Sequence, residues 1–284
     1  MPLTATADLI RDAVAERRGI GAFNVIHLET AQALAAAAEA AQRGIILQIS
    51  ENCVSYHGGL APIALGTLAI ARASDAPIAV HLDHAEDPQL AQAAVDLGFG
   101  SVMYDGSGLD YANNVDETAR IVEYAHARGA IVEAELGAIG GKDGAHAPGV
   151  RTDPTEARSF VEETGVDALA VAVGSSHAMT RRVASVDLEL IARIHQALAV
   201  PLVLHGSSGV PDDQLVAAIT AGMTKINVST HLNGVFTKAI TDYLAENPAV
   251  VDSRRYVAAG RTALTEEATR LITMFALAAP PGTA

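Results

Sequence analysis

The segment that decides the fold reads Ile78-Ala79-Val80-His81-Leu82-Asp83-His84, an apolar run that ends in polar side chains. A run of this length is typical of a buried β-strand, and residues 87–97 after it have the apolar spacing of an α-helix. The same unit recurs along the chain. The predicted strands are residues 21–25, 45–50, 78–83, 101–105, 130–136, 168–173, 201–205 and 225–229.

Helical spacing fills the intervals between these strands. The predicted helices are residues 28–42, 60–74, 87–97, 115–128, 155–164, 187–197, 212–221 and 231–246, and a further helix, residues 262–277, closes the chain. Nearly continuous apolar strands that alternate with helices favour a parallel sheet covered on both faces. Eight such units predict an α/β fold of the (β/α)8 TIM-barrel type with an extra C-terminal helix. A doubly wound open sheet is the rival, but no Gly-x-Gly-x-x-Gly motif follows the first strand.

The sequence contains no domain boundary, so residues 1–284 are expected to form one domain. The longest stretch without a periodic pattern is residues 137–154, which is rich in glycine. This stretch is either a lid over a site or a solvated surface loop. Residues 280–284 form a tail that we expect to be frayed.

Composition excludes several classes of partner. The chain is 50% hydrophobic, carries a formal net charge of −14 and contains one cysteine, Cys53. An acidic chain is poorly suited to bind nucleic acid or an anionic membrane surface, so neither partner is expected. A single cysteine rules out an internal disulfide and fits a reducing compartment. The N-terminal residues lack the basic and apolar parts of a signal peptide, and no apolar run approaches the ~20 residues of a membrane span. We therefore expect a cytoplasmic protein.

Polar side chains gather where the predicted strands end. Chemistry in a barrel of this kind takes place at the carboxyl ends of the strands, so these side chains are expected to share one rim. They are Asn24, Gln48, Ser50, His81, Asp83, His84, Asp105, Glu135, His177, His205, Asn227, Ser229 and Thr230. A barrel built only for stability does not require a polar group on every strand, and we expect Asn24, Gln48 and Ser50 to contact substrate.

Three histidines, His84, His177 and His205, end different strands. Imidazole is the commonest neutral zinc ligand, and three protein ligands leave a fourth position open for substrate. Side chains alternate along a strand, so His84 joins His81 and Asp83 only if the strand stops at Asp83 and the backbone turns. A metal ion on His84 then lies beside the Asp83 carboxylate, a suitable general acid/base. His81 is either an outer partner of the metal site or a core histidine.

Two polar turns follow the seventh and eighth strands, Gly206-Ser207-Ser208-Gly209 and Asn227-Val228-Ser229-Thr230. Loops at these two positions form the usual phosphate site in such barrels. Glycine lets backbone N–H groups approach an anion, and a helix that begins near Pro211 or Thr230 adds its positive end. Together with the histidines, these turns indicate metal-assisted chemistry on a phosphorylated small molecule.

Six motifs occur in order between about Leu3 and about residue 275. They are Gly21-Ala22-Phe23-Asn24-Val25, His81-Leu82-Asp83-His84, Tyr104-Asp105-Gly106-Ser107, Val132-Glu133-Ala134-Glu135-Leu136-Gly137, Val203-Leu204-His205-Gly206-Ser207-Ser208-Gly209 and Thr224-Lys225-Ile226-Asn227-Val228-Ser229-Thr230. In these motifs the chain resembles the class II, zinc-dependent ketose-bisphosphate aldolases, which cleave fructose or tagatose 1,6-bisphosphate. The resemblance implies a lyase that releases dihydroxyacetone phosphate and glyceraldehyde 3-phosphate through a zinc-stabilised enediolate.

The resemblance also implies roles for individual residues. His84, His177 and His205 would hold the catalytic Zn²⁺, and Asp83 would take the proton from the C4 hydroxyl. The match allows a second divalent ion and a monovalent cation. Asp105 and Glu135 match positions that bind a second or displaced metal ion. Arg254 matches the arginine that binds the distal phosphate. The dihydroxyacetone-phosphate site is matched by Gly206, Ser207, Ser208, Asn227, Val228, Ser229 and Thr230.

The alternative route for this chemistry is a Schiff base on a lysine. The chain has only Lys142, Lys225 and Lys238. Of these only Lys225 lies in a predicted strand, where we interpret it as structural or phosphate-linked. The electron sink is therefore expected to be the metal ion.

The sequence departs from the family pattern at three places. Ala178, a candidate substrate contact after His177, stands where relatives carry glycine. Asp143 follows Lys142 where relatives carry a glutamate, and it is the candidate for the second proton transfer. Asp252-Ser253-Arg254 replaces an Asp-Pro-Arg string. These departures leave the sugar open, with tagatose 1,6-bisphosphate or another ketose phosphate as the alternative to fructose 1,6-bisphosphate.

Two other functions compete with this interpretation. A metal-dependent hydrolase often presents His-x-His on an early strand, and the chain has no such string. A non-catalytic, metal-free subunit would have lost Asp83 or a histidine ligand, and all four residues are present. Members of the family are oligomeric, so we expect a homodimer or a homotetramer.

Overall fold

The computed structural model describes residues 3–136, 151–176 and 179–277. Within these residues, parallel strands close into a barrel in chain order, and β1 pairs with both β2 and β8. The strands are β1 (Ile20–Asn24), β2 (Ile45–Ser50), β3 (Ile78–Ala85), β4 (Ser101–Tyr104), β5 (Ile131–Leu136), β6 (Ala168–Val171), β7 (Leu202–Leu204) and β8 (Met223–Val228). The predicted eight-stranded barrel is confirmed.

Helices surround the barrel. They are α1 (Thr6–Ala15), α2 (Leu28–Ala41), α3 (Glu51–His57), α4 (Leu60–Ala73), α5 (Pro88–Asp96), α6 (Tyr111–His126), α7 (Pro154–Thr164), α8 (Leu188–Ala197), α9 (Asp212–Ala221), α10 (Thr230–Glu246) and α11 (Ser253–Phe275). The extra C-terminal helix is the long α11. Several helices begin at an aspartate whose side chain accepts a backbone N–H of the first turn, as at Asp87, Asp153 and Asp187.

The structure corrects several predicted helix boundaries. α11 begins at Ser253 rather than residue 262, and α6 begins at Tyr111 rather than residue 115. Asp252 and Asp110 cap these helices by accepting backbone N–H groups. α3, which was not predicted, is capped in the same way by Ser50. A local cap therefore starts each helix in a segment whose apolar spacing is weak.

α1, also absent from the prediction, closes the amino-terminal end of the barrel. Its apolar face packs against the lowest layer of inward-facing strand residues. The buried residues of this cluster are Leu9, Ile10 and Ala13 from α1 and Ile20, Ala22, Ile46 and Ala79 from the strands. Burial of a leucine or isoleucine side chain stabilises the fold by roughly 1.5–3 kcal/mol. This apolar floor leaves the opposite rim for polar groups.

The larger core lies between the strands and the outer helices. α4 contributes Ile63, Ala64, Leu68 and Ala71 to it, all of which are buried. Among the described residues, no single helix is long and apolar enough to cross a membrane, while α3 and α4 reach that length and composition only as a pair bent by 111°. Residues 137–150 of the glycine-rich stretch and the tail 280–284 lie outside the described residues.

Candidate active site

A bulge in β3 brings Asp83 and His84 into the same site. The pairing of β3 with β4 shifts register between Leu82 and Ala85, and His84 has a φ of 50°, in the left-handed region. The prediction that the strand stops at Asp83 is wrong, because it continues to Ala85 through this irregular peptide. The backbone turn that the prediction required is nevertheless present, and it allows two consecutive side chains to share one face.

The imidazole rings of His84 and His205 face each other. His84 Nε2 lies 2.8 Å from His205 Nδ1, and the ring planes are inclined by 77°. On its other edge, His84 Nδ1 lies 2.9 Å from Asp105 Oδ2 and 3.8 Å from Glu135 Oε2. Both carboxylates are buried. The acids therefore hold one nitrogen of His84 and leave the other directed toward His205.

Asp83 is buried beside these histidines and is fixed by two amides. Asn24 Nδ2 donates to Asp83 Oδ2 at 3.1 Å, and Asn227 Nδ2 donates to Asp83 Oδ1 at 3.4 Å. Gln48 Nε2 in turn donates to Asn24 Oδ1 at 2.8 Å. Three strands, β1, β2 and β8, thus orient the one carboxylate. The predicted residues Asn24, Gln48 and Asn227 are brought together around Asp83.

The charges of the site stabilise both an anion and a cation. Burial opposes ionisation of Asp83, but His84, His205 and Lys225 lower the pKa of its carboxyl below the ordinary value. Burial also opposes a charge on His84, but the Asp83 carboxylate, the hydrogen bond to Asp105 and the charge of Glu135 raise its pKa to about 9. An environment that favours a positive charge at this point also attracts a metal cation.

Two groups of donors fit a metal ion. Donor atoms of Asp83, His84 and His205 lie within 4.8 Å of one another, and so do those of His84, Asp105 and Glu135. Imidazole nitrogens and carboxylate oxygens are a suitable donor set for zinc. Two of the three predicted zinc ligands are thus together. His177, the third, and Ala178 and Asp143 lie outside the described residues.

The two predicted phosphate-binding turns lie side by side. Ser207 begins a short 3₁₀ helix, and its hydroxyl donates to the backbone oxygen of Asn227. Ser208 Oγ accepts the backbone N–H of Ser229 at 3.4 Å and of His231 at 3.2 Å. The turn after β7 is therefore tied to the amino end of α10, which begins at Thr230 and directs its positive end here.

Gly206 is needed for the close packing of these turns. Its φ is 67°, and a Cβ at this position would come within 2.6 Å of the backbone oxygen of Ser176. The side chain of Val228 is buried in the hydrophobic core. Ser50 Oγ accepts the backbone N–H of Cys53 at 3.3 Å, so this predicted substrate contact also caps α3.

Arg254 is not among the residues that the described structure brings together. Its side chain is 90% exposed at the start of α11, and its guanidinium contacts both carboxylate oxygens of Asp252 at 2.8–3.2 Å. The predicted distal-phosphate arginine is thus a surface residue that is paired with the capping aspartate.

The sequence reasoning missed a buried ionic cluster below the site. Glu133 Oε1 lies 2.9 Å from His205 Nε2, and Lys225 Nζ lies 2.7 Å from Glu133 Oε2. His81 contacts Lys225 Nζ at 3.4 Å, so Lys225 is part of the barrel interior rather than a phosphate contact. Burial, followed by the charge of Lys225, holds the pKa of His81 well below its ordinary range. Strand alternation was the available signal, because Glu133 lies two residues before Glu135 and faces the same side.

Residues 4–279 match the family model described as fructose-bisphosphate aldolase class-II. The chain belongs to this family. The aldolase is 38% identical over 268 residues to the fructose-bisphosphate aldolase of Geobacillus stearothermophilus, and the match covers 93% of each chain. It is also 37% identical over 292 residues to the fructose-bisphosphate aldolase of Giardia intestinalis. This match covers 94% of the chain described here and 90% of that protein.

A solved aldolase structure has a similar fold. The YdjI aldolase from Escherichia coli K12 superposes with a TM-score of 0.82 at 31% identity, over 96% of this chain and 97% of that chain. The aldolase described here is therefore a member of a lyase family, and its barrel is the fold of a solved aldolase.

Proposed function

We propose that this aldolase reversibly cleaves a ketose 1,6-bisphosphate, foremost fructose 1,6-bisphosphate, to dihydroxyacetone phosphate and glyceraldehyde 3-phosphate, and that it requires Zn²⁺. One observation carries the proposal. His84 Nε2 and His205 Nδ1 converge to 2.8 Å beside the buried carboxylate of Asp83. The names of the relatives support this reaction class.

His84, His205 and His177 would hold the zinc ion. Asp105 accepts from His84 Nδ1, so once the Nε2 proton has left, the Nε2 lone pair would be available to the metal ion. Asp105 and Glu135 also offer donors for a second divalent ion. When bound, Zn²⁺ supplies a Lewis acid that polarises the substrate carbonyl and stabilises the charge left by C–C cleavage.

Asp83 is proposed as the base that removes the proton from the C4 hydroxyl. Its lowered pKa keeps the carboxylate ionised and ready to accept that proton. Asn24 and Asn227 hold the two carboxylate oxygens, so the base is oriented before substrate arrives. Asp143 is the candidate for the second proton transfer.

The turns after β7 and β8 are proposed to bind the proximal phosphate. Ser208 Oγ accepts the backbone N–H groups of Ser229 and His231, so its own proton is left to donate to an anion, and α10 directs its positive end to the same place. Arg254 is proposed for the distal phosphate, since an arginine binds phosphate through paired, charge-assisted hydrogen bonds. In that role it would exchange Asp252 for the phosphate.

Product analysis with zinc-loaded protein tests the proposal. Fructose 1,6-bisphosphate, tagatose 1,6-bisphosphate and the corresponding ketose monophosphates are supplied separately, and the triose products are identified by mass. We expect triose phosphates from fructose 1,6-bisphosphate at the highest kcat/KM. A higher kcat/KM for tagatose 1,6-bisphosphate or for a monophosphate would change the substrate, and no cleavage of any ketose phosphate would reject the proposed reaction.

A further inference from the structure

A lysine side chain crosses the interior of this barrel. The Lys225 side chain is 1% exposed, and its ammonium group has two buried partners, Glu133 and His81. Other buried positions on or beside the strands form an apolar cluster. They are Met103, Ala168, Ala170, Ala172 and Val203. Well-packed apolar side chains commonly stabilise an interior at least as well as a buried ion pair, so stability alone does not account for the lysine.

The carboxylate of Glu133 connects this lysine to the metal site. Its Oε2 lies 2.7 Å from Lys225 Nζ and its Oε1 lies 2.9 Å from His205 Nε2. An ammonium group only donates, and an ionised carboxylate only accepts. The shorter contact, 2.9 Å to Glu133 Oε1, places the proton of the His205 ring on Nε2. Asn227 Nδ2 lies 3.2 Å from Nε2 and 3.4 Å from Nδ1, and in this tautomer it can donate only to Nδ1, which also faces His84 Nε2.

A second branch runs from Lys225 toward the barrel floor. His81 Nε2 lies 3.4 Å from Lys225 Nζ, so this nitrogen accepts and His81 carries its proton on Nδ1. His81 Nδ1 lies 2.7 Å from Ser101 Oγ, whose hydroxyl donates to Thr6 Oγ1 at 2.9 Å. The ammonium group thus sets the direction of the hydrogen bonds from His81 to Thr6, and the Glu133 carboxylate sets that of the hydrogen bond from His205.

We propose that Lys225 and Glu133 are positioning residues that hold His205 as the Nε2–H tautomer and so direct its Nδ1 lone pair to a divalent metal ion. The inference rests on the proposed zinc dependence and adds two residues that do not touch the metal. Lys225 acts through Glu133, because its ammonium group holds Oε2 and so keeps Oε1 directed at His205 Nε2. His81 keeps the ammonium group in place from the other side.

The substitution Glu133→Gln separates this role from simple packing. Glutamine has the same shape, but only one of its two terminal atoms accepts a hydrogen bond. The Lys225 ammonium takes that oxygen, and the amide nitrogen then faces His205 Nε2 and favours the Nδ1–H tautomer. We expect zinc affinity to fall by about 10–100-fold, the range for an outer-shell partner of a histidine ligand.

Adding Lys225→Met to Glu133→Gln should restore much of the affinity. With the ammonium group gone, the amide can turn its oxygen toward His205 Nε2 and support the original tautomer again. A purely structural role predicts the opposite, because a second buried substitution adds damage. The exposed Lys238→Met variant, which loses only a surface pair with Asp242, is the matched control and should bind zinc like the unchanged protein.

Two measurements on the full chain distinguish a positioning role of Lys225 and Glu133 from a purely structural one. Zinc dissociation constants come from competition with a chromophoric chelator, and histidine tautomers come from ¹⁵N–¹H correlation spectra of metal-free protein. We expect Nε2–H at His205 and Nδ1–H at His81 in the unchanged chain, a detection that needs no variant to fold. The opposite tautomer at His205, unchanged affinity in Glu133→Gln, or a double variant weaker than the single one would overturn the inference. Loss of the cleavage reaction with these zinc and tautomer results intact would reject only the proposed function.

Discussion

The left-handed peptide at His84 places two neighbouring side chains of one strand in the same site. In a regular strand, Asp83 and His84 would point to opposite faces of the sheet. The φ of 50° at His84 instead keeps its ring near His205 while Asp83 remains bound to Asn24. The proposed base and the proposed metal ligand are thus adjacent in sequence but separable by substitution.

Replacing Asp83 by asparagine should lower kcat by about 10²–10⁴, the usual range for a positioned acid/base. The amide keeps the shape of the side chain and one accepting oxygen for Asn24 or Asn227, but it cannot accept the C4 hydroxyl proton. Zinc content, measured by metal analysis, should change little, because the histidines remain. The exposed Asp75→Asn variant is the matched control. Normal turnover by a metal-replete Asp83→Asn protein would transfer the role to Glu135 or Asp143.

At the level of helices, a charged cluster joins α10 and α11 to α9 near the turns that follow β7 and β8. His231 Nε2 lies 2.6 Å from Glu267 Oε1, and Arg270 contacts Glu267 at 2.7 Å and Asp212 at 2.7 Å. Burial opposes the charge on Glu267, but the hydrogen bonds from Arg270 and His231 lower its pKa from 4.5 to about 2. The cluster therefore stabilises the fold most when Glu267 is ionised.

The substitution Glu267→Gln should lower the free energy of unfolding at pH 7 by roughly 1–2 kcal/mol, a figure discounted for the solvent that screens Arg270. Because the folded pKa lies below the unfolded one, this contribution is complete above about pH 4.5 and is lost as the pH falls toward 2. Urea unfolding at pH 7 and pH 3 checks the trend. The exposed neighbour Glu266→Gln serves as control. A difference that grew at acid pH would contradict the assignment.

Substitution of Arg254, in the first turn of α11, tests whether the substrate is a bisphosphate. If Arg254 binds the distal phosphate, Arg254→Ala should raise KM for the bisphosphate by an amount worth about 1.5–3 kcal/mol. Proton exchange on dihydroxyacetone phosphate, which needs only the proximal site, should barely change. The equally exposed neighbour Arg255→Ala is the matched control. Equal damage to both reactions would make Arg254 a structural residue that serves only its pair with Asp252.

For the whole molecule, a metal ion on His84 and His205 would join strands that are far apart in the chain, since the two residues are separated by 121 positions. Exhaustive chelation should therefore abolish activity and lower the melting temperature, and zinc or cobalt should restore both. A ligand present at 100 times its Kd stabilises the folded state by about 2.7 kcal/mol. Full activity in protein shown by metal analysis to contain none would reject the zinc requirement.

Assembly is a second property of the whole molecule. We expect a homodimer or a homotetramer, which light scattering at micromolar concentration distinguishes by mass. A mass close to one chain at that concentration would contradict this expectation.

The barrel could be predicted because each strand and helix has its own local pattern, and the rim followed from where the strands end. Caps explain the errors at α3, α6 and α11, since one side chain started each helix where periodicity was weak. Strand alternation could place Glu133 and Lys225 inside the barrel, but it could not pair them, because 92 positions separate the two residues and their contact depends on how the barrel closes. A metal site that contains both Asp83 and His84 requires the backbone to turn at this point. No local feature of the sequence specifies the left-handed conformation of His84 that provides this turn.

The pairing of β1 with β8 has a consequence for how the chain is made. The first strand to leave the ribosome has its final neighbour at the far end of the barrel sequence. Until β8 emerges, β1 and β7 each present an open edge of unpaired N–H and C=O groups, which can pair with another chain. Premature termination between β7 and β8 would thus yield a protein with seven strands, in which β1 and β7 are unpaired edge strands prone to aggregation. The last strand is therefore the element on which the solubility of the nascent chain depends.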